Sequence, residues 1–242
     1  MIRQNCNTGT DTHTCMNCRK KVNSLFDELE ERELAVLERH RSVVNYKRGE
    51  LIYKEGSKSM GLLCLNEGKV KLVKRGKNDN EQIISLKRPV DFIDLRSTIA
   101  SSEYNHSAYA LEDASVCFIE KNDFLKVLNG NSQLALKIIR MLSAENDVST
   151  ERLFSNSWKH LRARLAEAIL LLKEFYGTLE DGRTINYYIK RTDLAGLSNM
   201  NPANVIRTIA SFTKEDLLVS EKKRIIIKNE KALRRVSEQE EK

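Results

Sequence analysis

No stretch of this chain approaches the roughly 20 apolar residues that a membrane-crossing helix requires. Residues Met1 to Lys20 are polar, so neither a span nor an export signal is expected. Enzyme signatures are missing too: there is no P-loop, no nucleophile elbow, no paired HxxxH or carboxylate metal motif, and the four histidines make no constellation. Cysteine is sparse and odd in number, with five residues. Without an export signal, that argues against a disulfide framework and leaves metal binding or redox sensing as the cysteine functions. These absences lead us to expect a cytoplasmic protein that is not an enzyme. What remains is a globular composition, 40% hydrophobic and 31% charged, in 242 residues, enough for two modest domains with separate cores.

The most informative segment is Arg191 to Phe212, RTDLAGLSNMNPANVIRTIASF. It predicts two short helices joined by a tight turn. Thr192 reads as the N-cap of the first, and Asn201 followed by Pro202 as the start of the second. In the second helix Val205, Ile209 and Phe212 recur at i, i+4, i+7, while Asn204, Arg207, Thr208 and Ser211 take the other side. One face packs and the other is free to read a DNA groove. VSEKKRIIIK, from Val219 to Lys228, predicts a hairpin with basic residues at its tip, suited to a wing on phosphates. Residues 158 to 235 hold 16 Lys/Arg against 9 Asp/Glu, a surplus equal to the +7 of the whole chain. Positive charge therefore gathers where double-stranded DNA would be met.

The texture along the chain predicts four regions. Residues 1–24 form a polar arm with Cys6, Cys15 and Cys18. Residues 25–130 begin with an amphipathic helix over Leu25 to Arg39, then give short alternating segments punctuated by Gly49, Gly56, Gly61, Gly68 and Gly76, as a compact β-roll would. Residues 131–157 form a long helix whose Leu134, Ile138, Met141 and Val148 repeat near heptad spacing, which suggests a homodimer seam. Residues 158–242 form the DNA-binding domain, where the helix WKHLRARLAEAILLLKEFY is assigned to the core and Trp158 to packing. The predicted class is α+β.

That order of parts resembles the CRP/FNR family of bacterial transcription regulators, with KRTDLAGLSNMNPANVIRTIASF and YALEDASVCFIEKNDF the most specific stretches. The resemblance covers the chain from Leu25 onward and implies a jelly-roll, cyclic-nucleotide-binding-like sensory domain, a dimerisation helix and a winged helix-turn-helix. It also implies a homodimer working with RNA polymerase. In such proteins a reading Arg often follows a Glu by one turn. Arg207 matches that Arg, but Ala203 stands at the Glu position and Pro202 at a frequent Arg position, so the operator should differ. Asn204 is expected at phosphate or adenine, and Lys222, Lys223 and Arg224 at phosphate.

The effector is read from departures as much as matches. The family's cyclic AMP branch holds the nucleotide with a Glu and an Arg; here Leu95 and His106 take those places, so cyclic AMP is not expected. Arg96 could meet an anion, in a different placement. The oxygen-sensing branch uses three arm cysteines and one on a late strand, and Cys15, Cys18 and Cys117 match three of them. Ser24 falls where the third arm cysteine belongs, so Cys6 would substitute and Cys6, Cys15, Cys18 and Cys117 would hold a [4Fe-4S] cluster. Zinc on Cys6, His13, Cys15 and Cys18, a Cys15–Cys18 thiol switch, and another small ligand remain alternatives. A ligand-binding regulatory protein acting without DNA is the rival class. Cys64, inside LLCLN, reads as core.

Overall fold

The computed structural model describes residues 14, 15, 17, 24–76 and 81–239. Cys6, His13 and Cys18 lie outside them. The described chain is α+β and divides into two compact units, Met1–Lys74 with Ile84–Asn146, and Arg75–Ile83 with Asp147–Lys242.

Along the chain up to Trp158, which comprises the first unit and also Arg75–Ile83 and residues 147–158 of the second, helix α1 (Glu31–Glu38) precedes strands β1 (Ser42–Tyr46), β2 (Leu51–Tyr53), β3 (Gly61–Glu67), β4 (Val70–Arg75) and β5 (Glu81–Lys87). Helix α2 (Leu95–Ile99), β6 (Ser107–Ala110), β7 (Ala114–Glu120), α3 (Lys121–Gly130) and the long α4 (Ser132–Trp158) follow. The strands form two sheets, ordered β1-β7-β3 and β2-β6-β4-β5, the two-layer roll predicted from the glycine-punctuated segments. Gly68 shows why glycine punctuates: its φ is +88°, and a Cβ there would stand 2.5 Å from the Asp113 carbonyl oxygen.

Strands β3 and β7 are buried on both faces, and their alternation sorts residues between two cores. Leu63, Leu65, Ala114 and Val116 pack between the sheets with Ile52, Val70 and Leu72. Leu62, Cys64, Cys117 and Ile119 face the helical layer with Leu34, Leu37, Phe124, Leu134 and Ile138. The opening helix is shorter than predicted. Leu25 to Glu28 form a turn whose Leu25 and Phe26 are buried, and α1 begins only at Glu31, where the Glu33 carboxylate accepts from the Glu30 N–H at 2.8 Å. Asn131 closes the layer: its Oδ1 accepts from the Leu134 N–H at 2.9 Å and its Nδ2 donates to Glu33 Oε1 at 2.9 Å.

Val90 is a strained point. Its φ is +83°, which a β-branched side chain tolerates poorly. The turn from Arg88 to Asp91 is closed by Asp91 N–H to Arg88 O at 3.0 Å and pinned to β3 by Val90 N–H to Leu65 O at 2.7 Å. Val90→Gly should therefore raise stability by about 1 kcal/mol through release of this strain. A urea midpoint that falls instead would show that the Val90 side chain contributes more by packing than it costs in backbone strain.

The second unit is built on α5 (Leu161–Tyr176), α6 (Arg191–Ser198), α7 (Pro202–Lys214), the hairpin β8 (Leu218–Glu221) and β9 (Arg224–Ile227), and α8 (Glu230–Ser237). Leu165, Ile169 and Leu172 of α5 are fully buried, as their spacing predicts. Trp158 departs from expectation. It ends α4 rather than opening α5, is 58% exposed, and stacks on Phe154 with centroids 6.0 Å apart.

Candidate DNA-reading helix and sensory cysteines

Helices α6 and α7 meet through Asn199, which closes α6 in the left-handed conformation at φ 50°. Asn201 then caps α7, its Oδ1 accepting from the Asn204 N–H at 2.8 Å, and Pro202 takes the first helical position. The start of α6 differs from prediction. The helix begins at Arg191 with Lys190 before it, so Thr192 lies inside the first turn, exposed, rather than capping it.

Along α7, Val205, Ile209 and Phe212 are buried as their spacing requires, and Asn201, Pro202, Ala203 and Arg207 are exposed. Thr208 corrects the reading. At 9% exposure it packs with the apolar side, because 100° per residue places it beside Val205 and Phe212. Ser211 is engaged within the fold, accepting from Arg162 Nη1 at 2.6 Å and donating to Glu215 Oε1 at 2.8 Å. Arg162 also reaches Glu215 Oε2 at 2.7 Å and lies 5.0 Å from the centre of the Phe212 ring, holding the Glu215 carboxyl below the usual range. The exposed face is thus Asn201 to Ala203, Ile206 and Arg207, with half-buried Asn204 accepting from Arg207 Nη2 at 2.6 Å. Ile206, 55% exposed, was missed by sequence reasoning, although an isoleucine off the Val205–Ile209–Phe212 stripe is a signal. It can meet a thymine methyl while Arg207 meets a guanine edge.

The wing turns at Lys222 and Lys223, whose φ values of 45° and 66° make the two-residue turn that matches strand twist. Both side chains are exposed. Arg224 is half-buried, its guanidinium 4.0 Å from the centre of the Tyr188 ring, so part of its capacity is used inside the fold.

In the β-roll, the residues at the cyclic-nucleotide positions form a closed polar network. Leu95 is buried in the helix-facing core. His106 is 4% exposed, with Nε2 2.9 Å from the Tyr53 hydroxyl and Nδ1 2.5 Å from Asn105 Oδ1. Burial pushes its pKa down despite the neighbouring Asp94, so the imidazole is neutral at physiological pH. Asp94, 6% exposed, caps α2 through the Ser97 N–H and accepts from Ser97 Oγ at 2.6 Å. Tyr53 stacks on Tyr104 with centroids 3.7 Å apart. Exposed Arg96 donates to Asn105 at 3.0 Å. A phosphate here would meet a buried carboxylate and a neutral ring, with the Arg96 guanidinium and the Lys74 ammonium, both hydrogen-bonded to Asn105, as the neighbouring cations.

Of the proposed metal ligands, Cys15 and Cys117 are described. They are 3% and 4% exposed and belong to one buried cluster in the helix-facing core, where Cys64 is the cross-strand neighbour of Cys117. Cys64 is core as predicted. Among the described residues no group of three or more His, Cys, Asp or Glu could hold an ion. The thiolate set is therefore half represented. The two members present, 102 residues apart in sequence, belong with Cys64 to the same buried cluster.

The seam residues divide. Leu134 and Ile138 are each 3% exposed and Met141 packs against the same core, so these three are used within the chain; only Val148, at 54%, is open. Six of the twelve exposed large hydrophobic residues among those described nevertheless lie on α4: Leu136, Ile139, Val148, Leu153, Phe154 and Trp158. At 100° per residue Leu136 and Ile139, in the first unit's part of α4, lie on the side away from Leu134 and Ile138, and Val148, Leu153, Phe154 and Trp158 belong to the second unit's part.

Residues 43–131 match the family model for the cyclic nucleotide-binding domain, and residues 163–236 that for the Crp-like helix-turn-helix domain. The chain is 20% identical over 212 residues to a CRP-like cAMP-activated global transcriptional regulator of Mycobacterium tuberculosis, covering 87% of this chain and 95% of that one. It is 24% identical over 174 residues to the Cyclic AMP receptor protein of Thermus thermophilus, covering 72% and 77%. Among solved structures, FixK2 from Bradyrhizobium japonicum has the same fold, with a TM-score of 0.73 at 19% identity over 81% of this chain and 96% of that one. No helix among the described residues is long and apolar enough to cross a membrane.

Proposed function

Because this chain belongs to the CRP/FNR family of DNA-binding transcription regulators, we propose that it works as a cytoplasmic homodimer. Its sensory domain would respond through the cysteines of the arm and β7 rather than through a cyclic nucleotide. The observation that carries this reading is the burial of Cys15 in one cluster with Cys117, while Asp94 and His106 close the β-roll interior with their own hydrogen bonds. Cys6 and Cys18 would complete a four-thiolate set, the usual complement of an iron–sulfur cluster, which supplies oxygen- or redox-sensitive electron transfer when bound. What this chain contributes is two buried soft ligands and an apolar surround that restricts solvent. Zinc on Cys6, His13, Cys15 and Cys18 is the competing occupant; it needs no ligand from β7, and so gives Cys117 no role.

Two reading helices related by a two-fold axis would address successive major grooves of a symmetric operator, with RNA polymerase as the partner at the promoter. Arg207 and Ile206 read, Asn204 steadies Arg207, and Lys222 and Lys223 hold phosphate. Arg207→Ala should cut discrimination at its base pair by about 1–3 kcal/mol. Neutralising Lys222 and Lys223 should weaken all duplexes alike and flatten the salt dependence. Binding selection on random duplexes checks both. An Arg207→Ala protein with unchanged sequence preference would remove Arg207 from the reading role, and a chain that selects no duplex would overturn sequence-specific DNA binding.

A further inference from the structure

Cys117 and Cys15 are connected by a pair of charged residues that nothing in the sequence singles out. Arg41, between α1 and β1, has a side chain only 7% exposed. Its Nη1 donates to Cys117 Sγ at 3.6 Å and its Nε to Glu38 Oε2 at 2.7 Å. The other Glu38 oxygen, Oε1, accepts from the backbone N–H of Cys15. A single ion pair therefore has its cation on the strand cysteine and its anion on the arm cysteine. Burying a guanidinium against a sulfur atom is costly, and the Glu38 carboxylate offsets part of that cost. A leucine or methionine would fill the same space without it.

We propose that Glu38 and Arg41 are a positioning pair for the thiolate site: Glu38 docks the arm by holding the Cys15 amide, and Arg41 orients Cys117 and sets the electron affinity of what the sulfurs bind. This rests on the reading of Cys15 and Cys117 as ligands. A guanidinium donor on a thiolate withdraws electron density and stabilises the more negatively charged, reduced form of a bound cluster, so it raises the reduction potential. The pair links the arm's docking to the strand's ligand chemistry, since one carboxylate meets both the Cys15 amide and the Arg41 guanidinium.

The test compares the full chain with Arg41→Gln, Arg41→Lys and Glu38→Ala. In metal-free protein, hydrogen exchange at the Cys15 amide should quicken at least tenfold in Glu38→Ala and clearly in Arg41→Gln, with exchange in β4 unchanged. After anaerobic reconstitution with iron and sulfide, Arg41→Gln should hold the same iron as the parent yet show a more negative potential and faster bleaching in air. Arg41→Lys, which keeps the charge without the fork, should fall between. Unchanged exchange and unchanged potential would overturn the proposal. Altered exchange in a parent that takes up no iron would sink the cluster reading and leave the docking role of the pair established. If Arg41→Gln fails to fold, Glu38→Ala, at a site whose side chain is 30% exposed on a helix that accepts alanine, decides the docking claim by itself.

Discussion

Anaerobically reconstituted Cys117→Ser protein is expected to lose nearly all the iron and sulfide that the unaltered chain takes up, together with the brown colour. A serine hydroxyl is a far poorer ligand than a thiolate for a soft site, and Cys117 occupies a buried position on β7. Cys15→Ser and Cys18→Ser should behave alike. Cys64→Ser is the informative control, because Cys64 lies directly across from Cys117 on β3, with its thiol directed at the backbone carbonyls of Val90 and Leu65 at 3.8 and 3.9 Å. It should keep its iron. Stoichiometric zinc retained in Cys117→Ser would assign the arm to the local set of Cys6, His13, Cys15 and Cys18. Protein free of both metals after reconstitution would remove the metal reading.

The second large effect is expected at α4. Ile139→Glu and Leu153→Glu together should convert a dimer to monomers and reduce operator binding in step. Ile139 and Leu153 are 59% and 70% exposed in the single chain, so the fold should survive the change. Burying such a side chain is worth about 1.5–3 kcal/mol. Each substitution counts twice across a two-fold seam, so the dimer dissociation constant should rise by at least about two decades. Met141→Glu would act differently, lowering the stability of the sensory unit because Met141 packs on its core. Sedimentation separates the outcomes: a wild-type chain that is monomeric with and without DNA, or a double variant that remains dimeric, would show that this face is not the seam.

The motifs of this site were legible where local rules suffice. The Asn201–Pro202 start, the Val205–Ile209–Phe212 stripe and the basic hairpin tip follow from capping, helical periodicity and turn chemistry, which act over a few residues. The α+β class was legible for the same reason, because glycine-punctuated strands and a long periodic helix announce themselves singly. Thr208 was misplaced because a threonine carries no signal of which face it joins, and its burial follows from what packs above it. The same held for Trp158, read as core from its apolarity alone.

Periodicity in α4 identified an apolar stripe correctly but not what the stripe touches. Leu134 and Ile138 joined a core with Phe124 and the helix-facing side of β3 and β7, contacts made by chain folding from distant segments, while Leu136 and Ile139 stayed exposed. The sequence by itself determined which residues are apolar, basic or soft ligands and at what spacing. Only the tertiary structure decided which of them share a neighbourhood: that Cys15 and Cys117 lie in one cluster, that Arg41 and Glu38 join them, and that Asp94, His106 and Tyr53 close the β-roll. Those outcomes depend on contacts between residues tens of positions apart, whose free energy comes from burial and complementary charge rather than from any local preference of the chain.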